Sequence, residues 1–153
     1  MTERYLEDLQ VGDQFESDAF EVTEEGIIAF ARQFDPQPFH LDVQAAEQSV
    51  FRGLVASGWH TAAMSMRLFV TGELKLAGGS VGLGVDELRW PRPVKPGDTL
   101  RLQTEIMEVR PSKSKLDRGI IRIRNVTTNQ RGEVVQTFFA SVLVRRRGAP
   151  PPK

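Results

Sequence analysis

Phe51-Arg52-Gly53-Leu54-Val55-Ala56-Ser57-Gly58 runs into Trp59-His60-Thr61-Ala62-Ala63-Met64-Ser65-Met66-Arg67-Leu68-Phe69-Val70, and after Ser80 the hydrophobic period changes. The second of these stretches reads as a long helix starting near Trp59. Its expected inward face carries Trp59, Ala62, Ala63, Met66, Phe69 and Val70, and the small Ala62 and Ala63 let a helix lie close to a sheet. Gly72, or the pair Gly78-Gly79, is the expected stop. Beyond it the period is two. Val81, Leu83 and Val85 alternate with glycines, Leu100, Leu102, Thr104 and Ile106 with polar residues, and Ile121 and Ile123 with Arg122 and Arg124. Glycines inside a strand often mark the close approach of another backbone or a ligand. Residues 134–144 are apolar on both faces, so they read as a central or subunit-interface strand. One long helix followed by about four antiparallel strands is an α+β plan.

Upstream, Val11-Gly12-Asp13 reads as a turn and a strand-like stretch runs to about Val22. Thr23 has the chemistry of a helix N-cap, and Glu24 and Glu25 suit the positive end of the helix it would open. Ile27, Ile28, Ala31 and Phe34 share one face, which predicts an amphipathic helix over 24–34. Asp35 and Gln37 each precede a proline, and residues before proline are pushed toward extended geometry. Residues 35–39 should therefore form a stiff, kinked loop. Asp42 is placed to cap a short helix over 43–48.

The 153 residues suit one domain, expected over 1–144, with residues 145–153 as a disordered, solvated tail that includes Arg145-Arg146-Arg147. Lys plus Arg and Asp plus Glu both number 20, so no charge imbalance points to nucleic acid or a membrane surface. No apolar run approaches the roughly 18 residues that span a bilayer, and the first eight residues lack a signal-peptide pattern, so a cytoplasmic location is expected. The chain has no cysteine, which excludes disulfides and thiolate catalysis. Two histidines twenty residues apart, His40 and His60, make a poor metal site, so no metal is expected. Gly78-Gly79-Ser80-Val81-Gly82-Leu83-Gly84 lacks the strand-before, helix-after setting of a dinucleotide site, and no serine stands in a nucleophile-elbow motif. No cofactor is expected.

What remains is Asp35-Pro36-Gln37-Pro38-Phe39-His40. Aspartate and histidine, with ordinary pKa values of about 3.9 and 6.5, make a base and a near-neutral acid/base. Two prolines between them stiffen the loop, so both groups can meet around one water molecule. Ala56-Ser57-Gly58 opens the long helix, where first-turn N–H groups are unpaired and carry positive potential. A glycine there lets a carbonyl oxygen come close, a device suited to a thioester oxygen that gains negative charge. Bland readings stand beside these: His40 could bond a backbone carbonyl, and Asp35 could cap a turn. His60 reads as structural.

The joint pattern is more specific. D-x-x-P-x-H (Asp35, Pro38, His40), then F-x-x-x-x-x-[HS]-G (Phe51, Ser57, Gly58) opening an alanine-rich helix, then V-x-x-G-D (Val94, Gly97, Asp98), resembles the MaoC-like dehydratase family over about residues 8–144. The resemblance implies a hot-dog fold, a long helix over 59–72 wrapped by a curved antiparallel sheet. It implies water addition to trans-2-enoyl-CoA, giving (R)-3-hydroxyacyl-CoA, with Asp35 and His40 orienting and deprotonating the water and returning a proton to C2. The Gly58 N–H would hold the thioester oxygen. Ser57, Trp59 and Arg92 are the candidate substrate-binding residues, Arg92 with Arg89 and Lys95 for the phosphates of coenzyme A. The chain departs from the family pattern at Gln37 (commonly Asn), Ser57 (commonly His) and Met66 (a serine in some hydratases). The alternatives are a non-catalytic acyl-CoA-binding hot-dog subunit and an acyl-CoA thioesterase, although residues 59–70 carry no Asp or Glu for hydrolysis. The partner expected besides an acyl-CoA or acyl-carrier thioester is a second copy of the chain, in a homodimer or higher homo-oligomer.

Overall fold

The computed structural model describes residues 2–148. After a single 3-10 turn, Leu6–Asp8, come strands β1 (Gln14–Glu16) and β2 (Phe20–Glu21). Four helices follow, α1 (Glu24–Phe34), α2 (Pro38–Leu41), α3 (Val43–Glu47) and α4 (Gly58–Thr71), and then β3 (Val81–Arg89), β4 (Thr99–Pro111), β5 (Arg118–Thr128) and β6 (Val134–Arg145). The sheet is antiparallel in the order β1-β4-β5-β6-β3, with β2 also paired to β4. Alternation sets its inner face: Leu100, Leu102, Thr104 and Ile106 of β4 and Ile121 and Ile123 of β5 are all buried. The α4 helix packs over that face, so a sheet wraps one long helix as expected.

The capping chemistry is as the residues predict. Thr23 accepts a hydrogen bond from the Gly26 N–H, and Asp42 accepts from the N–H groups of Gln44 and Ala45. Gln37 is extended, as a residue before proline should be, but Pro38 does not continue the loop. It takes the first position of α2, where its missing N–H costs nothing, so His40 rides on a helical turn.

Two expectations are corrected, and one left with alternatives is decided. The buried face of α4 is Thr61, Met64, Ser65, Leu68 and Phe69. Trp59, Met66 and Val70, expected inward, are 59%, 52% and 45% exposed, and Ala63 is exposed as well. The helix has two faces rich in apolar residues, and the one chosen by the fold hides two hydroxyls behind hydrogen bonds. Of the two readings of β6, central or interface strand, the central one holds, since β5 and β3 flank it; β3 is an open edge of the sheet. The basic run also does not fray. Arg145 ends β6, Arg146 N–H donates to the Asp117 carbonyl at 2.9 Å, and Arg147 N–H donates to Glu7 at 2.9 Å. The Arg147 guanidinium pairs with Asp8 and lies over the Tyr5 ring. The counter-charges sit about 140 residues upstream, invisible to a local reading. The rest of the expected tail, 149–153, lies outside the described residues.

Candidate active site

Asp35 is the C-cap of α1, and its N–H donates to the Ala31 carbonyl. One kink later, α2 presents His40. Between α3 and α4 the chain runs extended through Leu54, Val55 and Ala56. Val55 N–H donates to the Phe39 carbonyl, and Ala56 N–H donates to the Val94 carbonyl at 2.8 Å. The turn that holds Val94 is itself fixed: Gly97 has φ +89, a conformation that favours glycine, and the Asp98 carboxylate accepts from the Lys95 N–H. These bonds bring α1, α2, the start of α4 and the loop after β3 around one cavity of about 440 Å³. Asp35, His40, Phe51, Gly58 and Trp90 are among its walls.

His40 is 5% exposed, and its Nδ1 lies 2.7 Å from the Val55 carbonyl. A carbonyl only accepts, so Nδ1 carries the proton. In the neutral ring Nε2 then holds the lone pair, and it faces Asp35 Oδ2 at 3.4 Å. Phe39 meets the imidazole edge-on at 4.7 Å, which fixes the ring plane. The carbonyl partner foreseen for His40 is therefore present, and it sets the tautomer that leaves Nε2 available.

Asp35 is held at both oxygens. Ser57 Oγ donates to Oδ2 at 2.7 Å, and Gln37 Nε2 donates to Oδ1 at 2.6 Å. The Ser57 hydrogen bond, with help from Gln37, holds the Asp35 carboxyl below the usual aspartate range, against the opposing effect of burial. Ser57, fully buried, also accepts from the Trp59 N–H as the N-cap of α4. It is thus an anchor for the carboxylate rather than a surface for substrate. Gln37 and Ser57, two of the departures noted above, both serve Asp35 here.

Gly58 is the first residue of α4, so its N–H has no carbonyl one turn back to bond. The neighbour that forbids a side chain there is Trp90: a β-carbon on Gly58 would lie 2.7–2.8 Å from three atoms of the indole. Trp59 sits at the rim and meets Trp90 edge-on at 5.3 Å. Arg92 also lines the cavity, paired with Glu133 at 3.3 Å. Arg89 turns to Glu87 at 3.8 Å. Met66 is outside this cavity, in a groove of about 390 Å³ between α4 and β3, and Ser65 bonds Thr127 at 2.7 Å on the opposite side. His60 stacks on Phe30 with its Nδ1 buried and unpartnered, a packing role. Sequence reasoning missed Trp90. Its position after β3 gave no periodic signal, and only the fold brings it to Gly58.

An antiparallel sheet wrapped around one long helix places the chain in the hot-dog class. The MaoC like domain model matches residues 8–129, and the chain belongs to the MaoC-like dehydratase family. A MaoC-like dehydratase from Rhodospirillum rubrum shares 54% identity, with a TM-score of 0.91 over 95% of this chain and 99% of that one. The (R)-hydratase PhaJ1 from Pseudomonas aeruginosa superposes with a TM-score of 0.76 at 28% identity, covering 97% of this chain and 94% of that one. The uncharacterized protein YdeM of Bacillus subtilis is 31% identical over 143 residues, 92% of this chain and 99% of its own length. Among the described residues, no helix is long and apolar enough to cross a membrane.

Proposed function

We propose that this site adds water to the double bond of a trans-2-enoyl-CoA, and removes it in the reverse direction. The observation that carries the reading is the facing pair: the Asp35 carboxylate and Nε2 of a His40 whose Nδ1 is tied to the Val55 carbonyl, 3.4 Å apart, beside the first amide of α4. A water in the cavity beside the pair donates one hydrogen bond to each. As its oxygen bonds to C3 of the substrate, one of its protons passes to His40 Nε2, and the π electrons move through C2 to the thioester oxygen. The Gly58 N–H receives that developing charge. His40 then returns the proton to C2, and the enolate collapses to the 3-hydroxyacyl thioester. Water is consumed and the base is regenerated, so no cofactor is required. The (R) configuration of the product is taken from the likeness to an (R)-hydratase.

The thioesterase alternative lacks its carboxylate. The α4 helix carries no Asp or Glu, and Glu73 beyond it accepts from the Glu16 N–H at 2.7 Å. Arg92, at the cavity rim, would meet the phosphates of coenzyme A by exchanging Glu133 for the carrier. A pantetheine arm is best enclosed if a second copy covers the open β3 edge and the exposed residues of α4, so the working unit of this reading is a homodimer or larger. The test is an assay of crotonyl-CoA and longer or branched enoyl-CoAs for loss of the conjugated double bond, with the product scored by a stereospecific dehydrogenase. Hydration with (R) product supports the reading. Acyl-CoA binding without hydration of any of them favours a binding subunit, and release of free thiol favours hydrolysis.

A further inference from the structure

The indole N–H of Trp90 donates to Gln136 Oε1 at 2.8 Å. An indole nitrogen can only donate, so this bond fixes the orientation of the amide. Gln136 Nε2 must then turn into the interior, where it is buried without a partner. The side chain is 0% exposed, on the inner face of β6, in a cross-strand row with Thr127 and Leu102. A methionine or leucine would fill that place without stranding a donor. The bond the amide does make ties a tryptophan against Gly58, in the wall of the cavity.

We propose that Trp90 is the residue that limits acyl length, and that Gln136 is the positioning residue that keeps it in place. The inference rests on the acyl-CoA reading of the site. A thioester oxygen held at the Gly58 amide and a C3 atom held beside Asp35 and His40 leave the carbons beyond C3 facing a wall. Because the ring touches the Gly58 α-carbon region, whatever binds the Gly58 amide lies against the indole. Trp59 braces the ring at its edge, and Gln136 ties its nitrogen, so the wall does not yield to a longer chain. The substrate class is therefore a short-chain enoyl thioester.

The test measures dissociation constants for butyryl-CoA and octanoyl-CoA, which carry no double bond, by calorimetry, on wild type, Trp90→Ala, Trp90→Phe, Gln136→Met and the Trp90→Ala/Gln136→Met pair. Circular dichroism confirms folding, and Trp90→Leu replaces the alanine variant if that one does not fold. Wild type should prefer butyryl-CoA. Opening the wall in Trp90→Ala should shift the ratio toward octanoyl-CoA by at least about tenfold, since each methylene that gains or loses a fitted pocket changes discrimination about 10–200-fold. Trp90→Phe, which retains a ring, should keep the wild-type preference. Gln136→Met should shift the ratio part of the way, and should add nothing once Trp90 is gone; a residue that merely packs the core would move both ligands together. An unchanged ratio in Trp90→Ala, or a wild type that prefers octanoyl-CoA, overturns the proposal alone. A wild type that binds neither ligand overturns the acyl-CoA reading and the proposal with it. Butyryl preference without hydration of crotonyl-CoA supports the wall and sinks the hydratase reading.

Discussion

Asp35 receives hydrogen bonds from two side chains and faces a third, His40 Nε2, at 3.4 Å, so single changes around it should separate cleanly. Asp35→Asn and His40→Gln should each lower turnover of a hydrated enoyl-CoA by at least about 100-fold, and the double variant should be little worse, because both groups act on one water. Steady-state rates on the three folded variants check this. Ser57→Ala removes the hydrogen bond that does most to lower the Asp35 pKa. The carboxyl should then take its proton at a higher pH, so the acid limb of the pH–rate profile should move upward. The lost α4 cap should also cost about 0.5–2 kcal/mol in urea melts. Threonine at 57, which keeps the hydroxyl, should restore the limb. Asp35, His40 and Gly58 were legible in the sequence because two short segments carry them. The role of Ser57 was not, since its hydroxyl reaches back 22 residues to its partner, and Trp90 meets Gln136 across 46.

Helix α4 was legible in its start, within a residue, while its end stayed open between Gly72 and Gly78-Gly79 and its orientation was not legible. Hydrophobicity favoured the side bearing Trp59, Met66 and Val70 over one that includes Thr61 and Ser65. Ser65 enters the core because Thr127 waits there on β5, and Thr61 Oγ1 donates back to the Ser57 carbonyl. Sequence period shows that a helix has faces; it does not show which partner the sheet offers each face. Gly58→Ala tests how tightly the start of α4 is packed. Its β-carbon would displace the Trp90 ring, and overpacking of that kind costs about 1–3 kcal/mol, to be read as a lowered urea midpoint. His60, on the same helix, gives a second measurable effect. Burial lowers its pKa, so the unfolded chain takes a proton near pH 6.5 that the folded chain refuses. Its contribution is thus steady above that pH and declines as the pH falls below it toward the folded value. The drop in thermal midpoint between pH 7.5 and 5.5 should shrink in His60→Phe, which can retain the stack on Phe30.

Across the whole molecule the α+β plan followed from the order of periods and the wrapped helix from the family resemblance, while the open edge followed from neither. Among the described residues strand β3 pairs only with β6, and Val81, Leu83 and Val85 stand 49%, 53% and 56% exposed along it. Long apolar edges are normally covered or paired. Light scattering at micromolar concentration should therefore report at least a dimer, and Leu83→Asp should shift it toward monomer; a monomeric wild type would rule this out. The same pairing pattern has a consequence for synthesis. Strands β4, β5 and β6 form a meander in which each finds its partner next along the chain, but β3 emerges first and waits for β6, the last strand. At a translation rate of about 5–20 residues per second, that wait lasts seconds, with an apolar, glycine-bearing segment unpaired throughout. Nascent chains that stop before Val134 should accordingly be caught by chaperones or aggregate, and the Trp90–Gln136 bond beside the site can close only when the final strand arrives.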